Sequence, residues 1–180
     1  MKVRLSSALS LPLEIVGEAN AVIGKRGSGK TTTAKKLVEG MLAARQHVVI
    51  VEPTDVWYGL RSSADGKGPG FGVAVFGGAH ADLPLEAEAG AYMADLLVGE
   101  RLSAVLCLKP FNKTQRRRFM ADFAERLLQI NTDLLHVVLE EAHHWIPQRP
   151  QQGDQRMLGA CSDLTTTGRT GGIGTTLVSQ

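Results

Sequence analysis

Residues 24–31 of the 180-residue chain, GKRGSGKT, have glycines, a lysine and a threonine at the spacing of a phosphate-binding loop. Glycines let the backbone turn tightly, so that successive N–H groups can point at one phosphate. An apolar run precedes this segment and an amphipathic helix pattern follows it, which makes a chance glycine turn the weaker alternative. We predict a nucleoside triphosphate site with Lys30 at the β- and γ-phosphates and Thr31 on Mg²⁺, formed by Gly24, Lys25, Arg26, Gly27, Ser28, Gly29, Lys30, Thr31 and Thr32.

Two adjacent carboxylates, Glu140 and Glu141, end the apolar run 134–139. A phosphate-bound Mg²⁺ needs an acidic residue at the end of a neighbouring strand. Because side chains alternate along an extended strand, the two glutamates are predicted to point to different sides. We therefore predict that Glu140 holds Mg²⁺ and that Glu141 polarises a water for attack on the γ-phosphate. The alternative is a solvated strand end without a catalytic role.

Apolar runs alternate with helical patterns along the chain, and no repeat or linker divides it. The runs without polar alternation indicate a mostly parallel sheet covered on both faces, hence a three-layer α/β fold. We predict one domain over residues 1–180, with 1–19 as a lead-in segment. Strands are predicted at 20–24, 47–52, 71–78, 102–109, 134–140 and 173–179, helices at 29–45, 83–100, 112–130 and 154–167, and an irregular loop at 53–70.

Composition limits the possible function classes. Hydrophobic residues make up 43% of the chain, close to the average of globular proteins. The net charge is only +2, so the chain lacks the strongly basic charge that marks a nucleic-acid-binding domain. The sequence has no apolar run long enough for a membrane segment and no signal-peptide pattern, so we expect a cytoplasmic protein.

The cations of residues 113–118 are predicted to form a solvated helix face, with a DNA- or subunit-contacting surface as the alternative. Trp57 and Tyr58 are predicted to pack their loop onto the domain.

Several segments together resemble the HerA–FtsK superfamily of P-loop ATPases, in particular the HerA-type ATP-binding proteins. They include LPLEIVGEANAVIGKRGSGKTTTAKKLVE, VVLEEAHHWIPQRP and GRTGGIGTTLVSQ. The resemblance implies a RecA/ASCE-like core that uses ATP and Mg²⁺. It also implies a ring, most often a hexamer, that moves DNA without sequence preference and can serve a nuclease or another DNA-processing partner.

The resemblance also implies roles for two residues near the end of the chain. Gln180, which ends the last predicted strand, matches the polar sensor of the γ-phosphate. Arg169 matches an arginine finger that acts on the nucleotide of a neighbouring subunit, and guanidinium suits that role because it stays charged and binds phosphate oxygens in pairs. The alternative for Arg169 is an exposed charge at a helix end.

The sequence departs from the family pattern in three places. Such proteins commonly carry Asp where this chain has Glu140, and Asp-Pro where it has Glu52-Pro53. The extra methylene of glutamate moves a carboxylate outward by about 1.5 Å. Family members also continue well beyond the strand that Gln180 ends, so we expect the C-terminal part of the motor core to be missing from this sequence.

Three hypotheses about function follow. The first is an ATPase motor domain of HerA type that acts as a DNA translocase or helicase. The second is a nucleotide-binding interaction module with weak or no hydrolysis. The third, a P-loop phosphotransferase for a small acceptor, is disfavoured because a water-activating Glu141 has no use in transfer to a bound acceptor.

Overall fold

The computed structural model describes residues 2–6, 8–63 and 65–180. In these residues six parallel strands form the main sheet in the order β3-β8-β7-β4-β6-β5, and β1 and β2 form a separate antiparallel pair. The strands are β1 Lys2–Arg4, β2 Ser10–Pro12, β3 Ala19–Ile23, β4 Val48–Glu52, β5 Ala74–Phe76, β6 Ala104–Cys107, β7 Leu135–Glu140 and β8 Ile173–Ser179. The α-helices are α1 Lys30–Ala43, α2 Gly90–Gly99, α3 Lys113–Ile130 and α4 Gln155–Thr166, and 3-10 helices cover Leu13–Gly17, Trp57–Arg61, Ala142–His144 and Gly168–Gly171.

Helices cover both faces of the sheet, which explains why its central strands lack polar alternation. Every residue of β4, β6 and β7 is buried. One face packs against α2, α3 and α4, and the other against α1, β1 and the 3-10 helix Trp57–Arg61. The predicted three-layer α/β fold with a mostly parallel sheet is confirmed.

Local sequence signals set the bounds of most helices. Asn112 begins α3 with a capping box, in which its side chain accepts from Gln115 N and the Gln115 side chain accepts from Asn112 N, both at 3.0 Å. Phe119, Phe123 and Leu127 recur at every fourth position of this helix, and all three are buried. The predicted helix at 154–167 is likewise found as α4.

The helix predicted over 83–100 begins only at Gly90, so its first part was wrong. Leu83 bridges to Phe76, and its carbonyl accepts from Gly77 N, which holds this stretch extended beside β5. The third predicted strand, 71–78, is shortened for a related reason. Phe71 N donates to Leu60 O, so the strand's predicted beginning pairs with the loop that follows β4 and not with the sheet.

His136 connects the lead-in segment to the centre of the sheet. It lies in β7 with its side chain fully buried, where Nδ1–H donates to Val16 O and Nε2 accepts from the Thr176 hydroxyl, each at 2.7 Å. Burial lowers the pKa of His136 from 6.5 to about 4, although the hydrogen bond to Val16 O opposes the shift. Protonation of this side chain therefore favours the unfolded chain.

We predict that this histidine makes the fold sensitive to mild acid. The folded-state pKa lies below the unfolded one, so its stabilising contribution is full above pH 6.5 and is lost as the pH falls toward 4. The His136 contribution to the free energy of unfolding should fall by about 2 kcal/mol between pH 7 and pH 5. Urea unfolding of the native chain and of His136→Gln at both pH values measures this difference.

A matched control separates His136 from the other histidines. His47 is also buried with a lowered pKa, caused mainly by burial, and contributes a slope of the same sign in both proteins. His80 is exposed, so His80→Gln should keep the native pH dependence. An unchanged pH dependence in His136→Gln would show that the buried imidazole is not the cause.

Candidate nucleotide-binding site

The predicted phosphate loop joins β3 to α1. Gly27 and Gly29 have φ angles of 78° and 85°, in the left-handed region that glycine adopts without strain. Gly29 is also the N-cap of α1, so Lys30 and Thr31 begin the helix and its unpaired N–H groups face the loop. Lys30 Nζ reaches back over the loop and donates to Lys25 O at 3.1 Å. The segment therefore has the backbone geometry of an anion-binding turn at a helix N-terminus.

Thr31 and Glu140 are 109 residues apart in the sequence and meet beside this loop. The Thr31 hydroxyl donates to Glu140 Oε1 at 2.7 Å. Since its proton is used in this bond, the oxygen keeps its lone pairs free for a cation. The structure thus brings together the two residues that were predicted to be metal ligands.

The environment of Glu140 favours a cation near it. Only 3% of the residue is exposed, and burial raises the pKa of its carboxyl. The hydrogen bond from Thr31 opposes that shift, while the negative charges of Glu141 and Glu52 add to it. Glu140 Oε2 is buried and, within the described part of the chain, has no hydrogen-bond partner within 3.5 Å, although the Trp57 indole N–H, also without such a partner, lies close enough to lower the pKa of this carboxyl. A carboxylate oxygen in that position fits Mg²⁺, held directly or through water, together with the Thr31 hydroxyl.

Glu141 lies outside the extended strand. Its φ of 51° and ψ of 52° are left-handed, so β7 ends at Glu140 and the alternation expected for a continuing strand does not apply. Its Oε2 lies 3.4 Å from His143 Nδ1, and that nitrogen also lies 3.4 Å from Ser179 Oγ at the end of β8. His143 therefore connects the turn after β7 to the strand that ends at the predicted sensor.

The other two predicted site residues, Gln180 and Arg169, lie at opposite ends of strand β8. Gln180 is exposed and follows β8 at the carboxyl edge, where the phosphate loop also begins. Arg169 precedes β8 at the amino edge and forms an ion pair with Glu18 at 2.9 Å, with 72% of its side chain exposed. The seven residues of β8 separate the two by about 20 Å, so Arg169 is not near the loop of its own chain.

A cleft of about 430 Å³ lies beside the phosphate loop. The lead-in segment, the outer side of β3 and the first turns of α1 form its walls, so the loop is open on this side. Its lining residues include Leu5, Ile15, Ser28, Lys30 and Thr33.

Two of the basic side chains in residues 113–118 are held by hydrogen bonds and an ion pair, unlike those of a solvated helix face. Arg116 donates to the Leu108 and Lys109 carbonyls at 3.0 and 3.1 Å. Arg117 forms an ion pair with Asp154 at 2.6 Å, with its side chain only 19% exposed. These two arginines hold the start of α3 in place, so the prediction was wrong for them.

The loop after β4 is also held by side chains. Trp57 is fully buried, as predicted for packing, and Lys35 Nζ lies 5.7 Å from its ring centre. Sequence reasoning missed the role of Glu52, whose buried carboxylate accepts from the backbone N–H groups of residues 54, 55 and 56 at 2.6 to 3.0 Å. The available signal was an acidic residue between a buried strand and a proline-containing turn, where backbone donors need acceptors.

Comparison with known proteins gives a partial match. Residues 5–75, which include the phosphate loop and β4, match the family model described as Helicase HerA, central domain. The predicted resemblance to HerA-type ATPases is confirmed over these residues. No curated protein has a matching sequence.

Two solved structures with a related arrangement are 14% and 13% identical to this chain in sequence. The genome packaging NTPase B204 from Sulfolobus turreted icosahedral virus 2, in complex with AMP, is 14% identical with a TM-score of 0.49. The match covers 91% of this chain and 66% of that one. The pCW3 conjugation coupling protein TcpA, in a monomer form with ATPγS, is 13% identical with a TM-score of 0.48, and the match covers 100% of this chain and 48% of that one. Within the described residues, no helix is both long and apolar enough to cross a membrane.

We predict that the Thr31–Glu140 bond stabilises the fold even without nucleotide. Thr31→Val keeps the side-chain shape but leaves the buried Glu140 oxygen without its donor, which should lower the free energy of unfolding by about 1–3 kcal/mol. Thr33→Val is the control, because Thr33 is exposed on the same helix. Urea denaturation without Mg²⁺ or nucleotide compares the two, and equal losses in both variants would contradict the prediction.

Proposed function

We propose that this chain is the ATP-hydrolysing core of a HerA-type motor that moves DNA. The contact between Thr31 and Glu140 is the observation that carries the proposal. It joins the helix after the phosphate loop to the end of a neighbouring strand, with one carboxylate oxygen left for a cation. The match to the HerA central domain supports the choice of motor among P-loop proteins.

The loop and helix α1 bind the phosphates in this proposal. The N–H groups at the start of α1 and the Lys30 ammonium contact the β- and γ-phosphates. Lys30 now donates to a loop carbonyl, a weak partner that a phosphate oxygen can replace with a charge-assisted bond. ATP is proposed over GTP from the family resemblance.

Thr31 and Glu140 hold the metal in this proposal. Mg²⁺ would neutralise charge on the β- and γ-phosphate oxygens. Thr31 offers its hydroxyl oxygen, and Glu140 offers Oε2 while Oε1 keeps the threonine oriented. The longer side chain of glutamate is compatible with this role, because it already reaches α1.

Glu141 acts as the water-activating base in this proposal. Because its backbone is left-handed, the Glu141 side chain does not continue the alternation of β7. It lies beside His143, near the end of β8. Gln180 follows that same strand end and contacts the γ-phosphate. A base that accepts a proton from water serves hydrolysis and offers nothing to transfer onto a bound acceptor, which favours an ATPase over a phosphotransferase.

A ring of subunits completes the proposed site. Arg169 lies at the edge of the sheet opposite the phosphate loop and is largely exposed, so it is available to another chain. We propose that it reaches the nucleotide of the neighbouring subunit in a ring, most often hexameric, that binds DNA without sequence preference. A nuclease or another DNA-processing protein would be the motor's partner, in the cytoplasm.

The second candidate is a nucleotide-binding module with weak hydrolysis. The exposure of Gln180 and the distance of Arg169 from its own loop favour it for an isolated chain. In that case ATP and Mg²⁺ bind, and DNA does not raise turnover.

We predict that Glu141→Gln abolishes DNA-stimulated ATP hydrolysis while ATP binding persists. Glutamine keeps the size of the side chain but cannot accept the proton of the attacking water. The turnover rate should fall by roughly 100-fold or more, as expected for loss of a general base. Steady-state hydrolysis with Mg²⁺ and increasing double-stranded DNA, together with equilibrium binding of a fluorescent ATP analogue, measures both effects.

Glu86→Gln is the matched control, because Glu86 is an exposed glutamate outside the site. It should behave as the native chain. Measurable turnover that rises with DNA equally in Glu141→Gln and the native chain would exclude Glu141 as the base. Tight ATP binding with negligible turnover in all three proteins would favour the nucleotide-binding module.

We predict that Arg169 acts between subunits. Lys30→Ala removes phosphate binding in one chain, and Arg169→Ala removes the finger in another, so each protein alone should be inactive. A mixture should regain activity at interfaces where an intact Arg169 faces an intact loop. Steady-state hydrolysis at varied mixing ratios tests this.

The double variant Lys30→Ala/Arg169→Ala is the control partner, because it has neither group to contribute. It should not restore Arg169→Ala. A mixture with no more activity than its separate components would argue against a finger supplied in trans.

A further inference from the structure

A second cluster of possible ligands lies at the carboxyl edge of the sheet, beside the nucleotide site but separate from its proposed metal. Glu52 ends β4, Cys107 ends β6, and Asp55 lies in the loop after β4. One ligand atom from each lies within 4.8 Å of the others. All three residues are buried, with exposed fractions of 1%, 0% and 9% respectively. Parallel pairing of β4 with β6 aligns Glu52 with Cys107 in register.

Asp55 has an oxygen that the described residues leave without a hydrogen-bond partner. Its side chain is only 5% exposed, and Oδ1 is fully buried. Oδ2, in contrast, accepts from Ala79 N at 3.1 Å and faces Lys109 Nζ at 3.9 Å. A buried carboxylate oxygen without a donor is costly unless a proton or a cation compensates it.

Gly78 shows that this oxygen and the thiol face the same space. A Cβ placed on Gly78 would lie 2.6 Å from Asp55 Oδ1 and 2.8 Å from Cys107 Sγ. Any side chain at this position would therefore collide with both atoms. Gly78 also has a φ of 79°, which suits glycine, so the chain keeps the space beside them free of side chains.

Glu52 can contribute the third ligand without losing its role in the loop. Its Oε2 accepts from Thr54 N, the Thr54 hydroxyl and Asp55 N, whereas Oε1 accepts from Val56 N at 3.0 Å. The Cys107 thiol also lies close enough to this carboxylate to be its donor, and a bound cation would replace that proton. Oε1 thus retains a lone pair for a cation. These bonds also fix the orientation of Glu52, as partners around a metal ligand normally do.

We propose that Glu52, Asp55 and Cys107 bind a thiophilic divalent cation, with Zn²⁺ the best match. Two carboxylates and one thiolate are a three-residue set of the oxygen and sulfur ligands that zinc accepts. The sulfur ligand selects against Mg²⁺ and Ca²⁺, which take oxygen ligands. The site is independent of the proposed Mg²⁺ at Thr31 and Glu140.

The bound cation would compensate charge that the fold has concentrated here. Burial raises the pKa of the Cys107 thiol to about 12, and the nearby Glu52 and Asp55 charges add to the shift. Binding replaces the thiol proton, which leaves to solvent, so two carboxylates and a thiolate then surround a dication. The ion would connect β4, β6 and the loop after β4 at the edge where the nucleotide site lies.

Cobalt is the probe for this site, because a Co²⁺–thiolate bond gives a charge-transfer absorption that oxygen and nitrogen ligands do not. The full chain is titrated with Co²⁺ without Mg²⁺ or nucleotide. We expect a thiolate band that saturates at one equivalent and is displaced by Zn²⁺. Zinc should also raise the thermal unfolding temperature, since a ligand bound only to the folded state stabilises it.

The two buried cysteines provide a matched pair of variants. Cys107→Ser should lose the band and the zinc-dependent stabilisation, while Cys161→Ser, altered at a buried thiol in α4, should keep both. Asp55→Asn tests the carboxylate and should weaken cobalt binding by at least the roughly 10-fold that loss of an outer-shell partner costs. Circular dichroism verifies that each variant is folded.

Two results would overturn the proposal. One is a native chain that binds Co²⁺ without a thiolate band, as sites built from histidine or carboxylates alone would. The other is a band that persists in Cys107→Ser, or a cobalt affinity that is unchanged in Asp55→Asn. Because neither readout involves ATP hydrolysis, failure here leaves the proposed motor function untouched, and failure of the motor function leaves this site untouched.

Discussion

Parallel strand pairing is the constraint on which the rest of the structure depends. It places the carboxyl ends of β3, β8, β7, β4 and β6 along one edge, so residues distant in sequence meet there. Thr31 contacts Glu140 across 109 residues because the helix after β3 begins at the edge where β7 ends. The same geometry brings Glu52 beside Cys107. An antiparallel arrangement would send neighbouring strand ends to opposite edges and could not gather these groups.

The consequence of this gathering is an edge rich in buried negative charge. Glu52, Asp55, Glu140 and Glu141 lie close together, and the charges of Glu52 and Glu141 help to raise the pKa of Glu140. The chain compensates only part of this charge itself. Backbone donors serve Glu52 and the Thr31 hydroxyl serves one oxygen of Glu140, while Glu140 Oε2 and Asp55 Oδ1 have no donor in the described structure. Glu141 Oε2 also has no hydrogen-bond partner among the described residues, and it lies 3.4 Å from His143 Nδ1. The two proposed metal sites would each compensate one of the other two oxygens.

Local signals in the sequence predicted most of the architecture but not the exceptions. The glycine loop, the apolar runs of β4, β7 and β8, and the capping box of α3 are short-range patterns, and the structure has these elements close to the predicted bounds. The failures depend on contacts between distant segments. Leu83 is held extended by its pairing with β5, and Arg117 is drawn inward by Asp154. The left-handed backbone of Glu141 and the unpaired oxygen of Asp55 have no local signature, so that part of the site required coordinates.

Strand β8 is the element that can couple one nucleotide to the next in the proposed ring. Arg169 precedes it and Gln180 follows it, and the strand is paired on both sides, with β3 carrying the phosphate loop and β7 carrying the glutamates. Pairing with β3 covers residues 175–179 of β8 and pairing with β7 covers residues 173–178, so β8 cannot slide without breaking backbone hydrogen bonds. His136 adds stiffness, because its imidazole joins β8 to β7 and to the lead-in segment through Thr176 and Val16. In the proposed ring, β8 would hold the Gln180 and Arg169 ends at a fixed separation, and the exposed Arg169–Glu18 ion pair, weak at the surface, is the contact that would have to break for Arg169 to bind another chain.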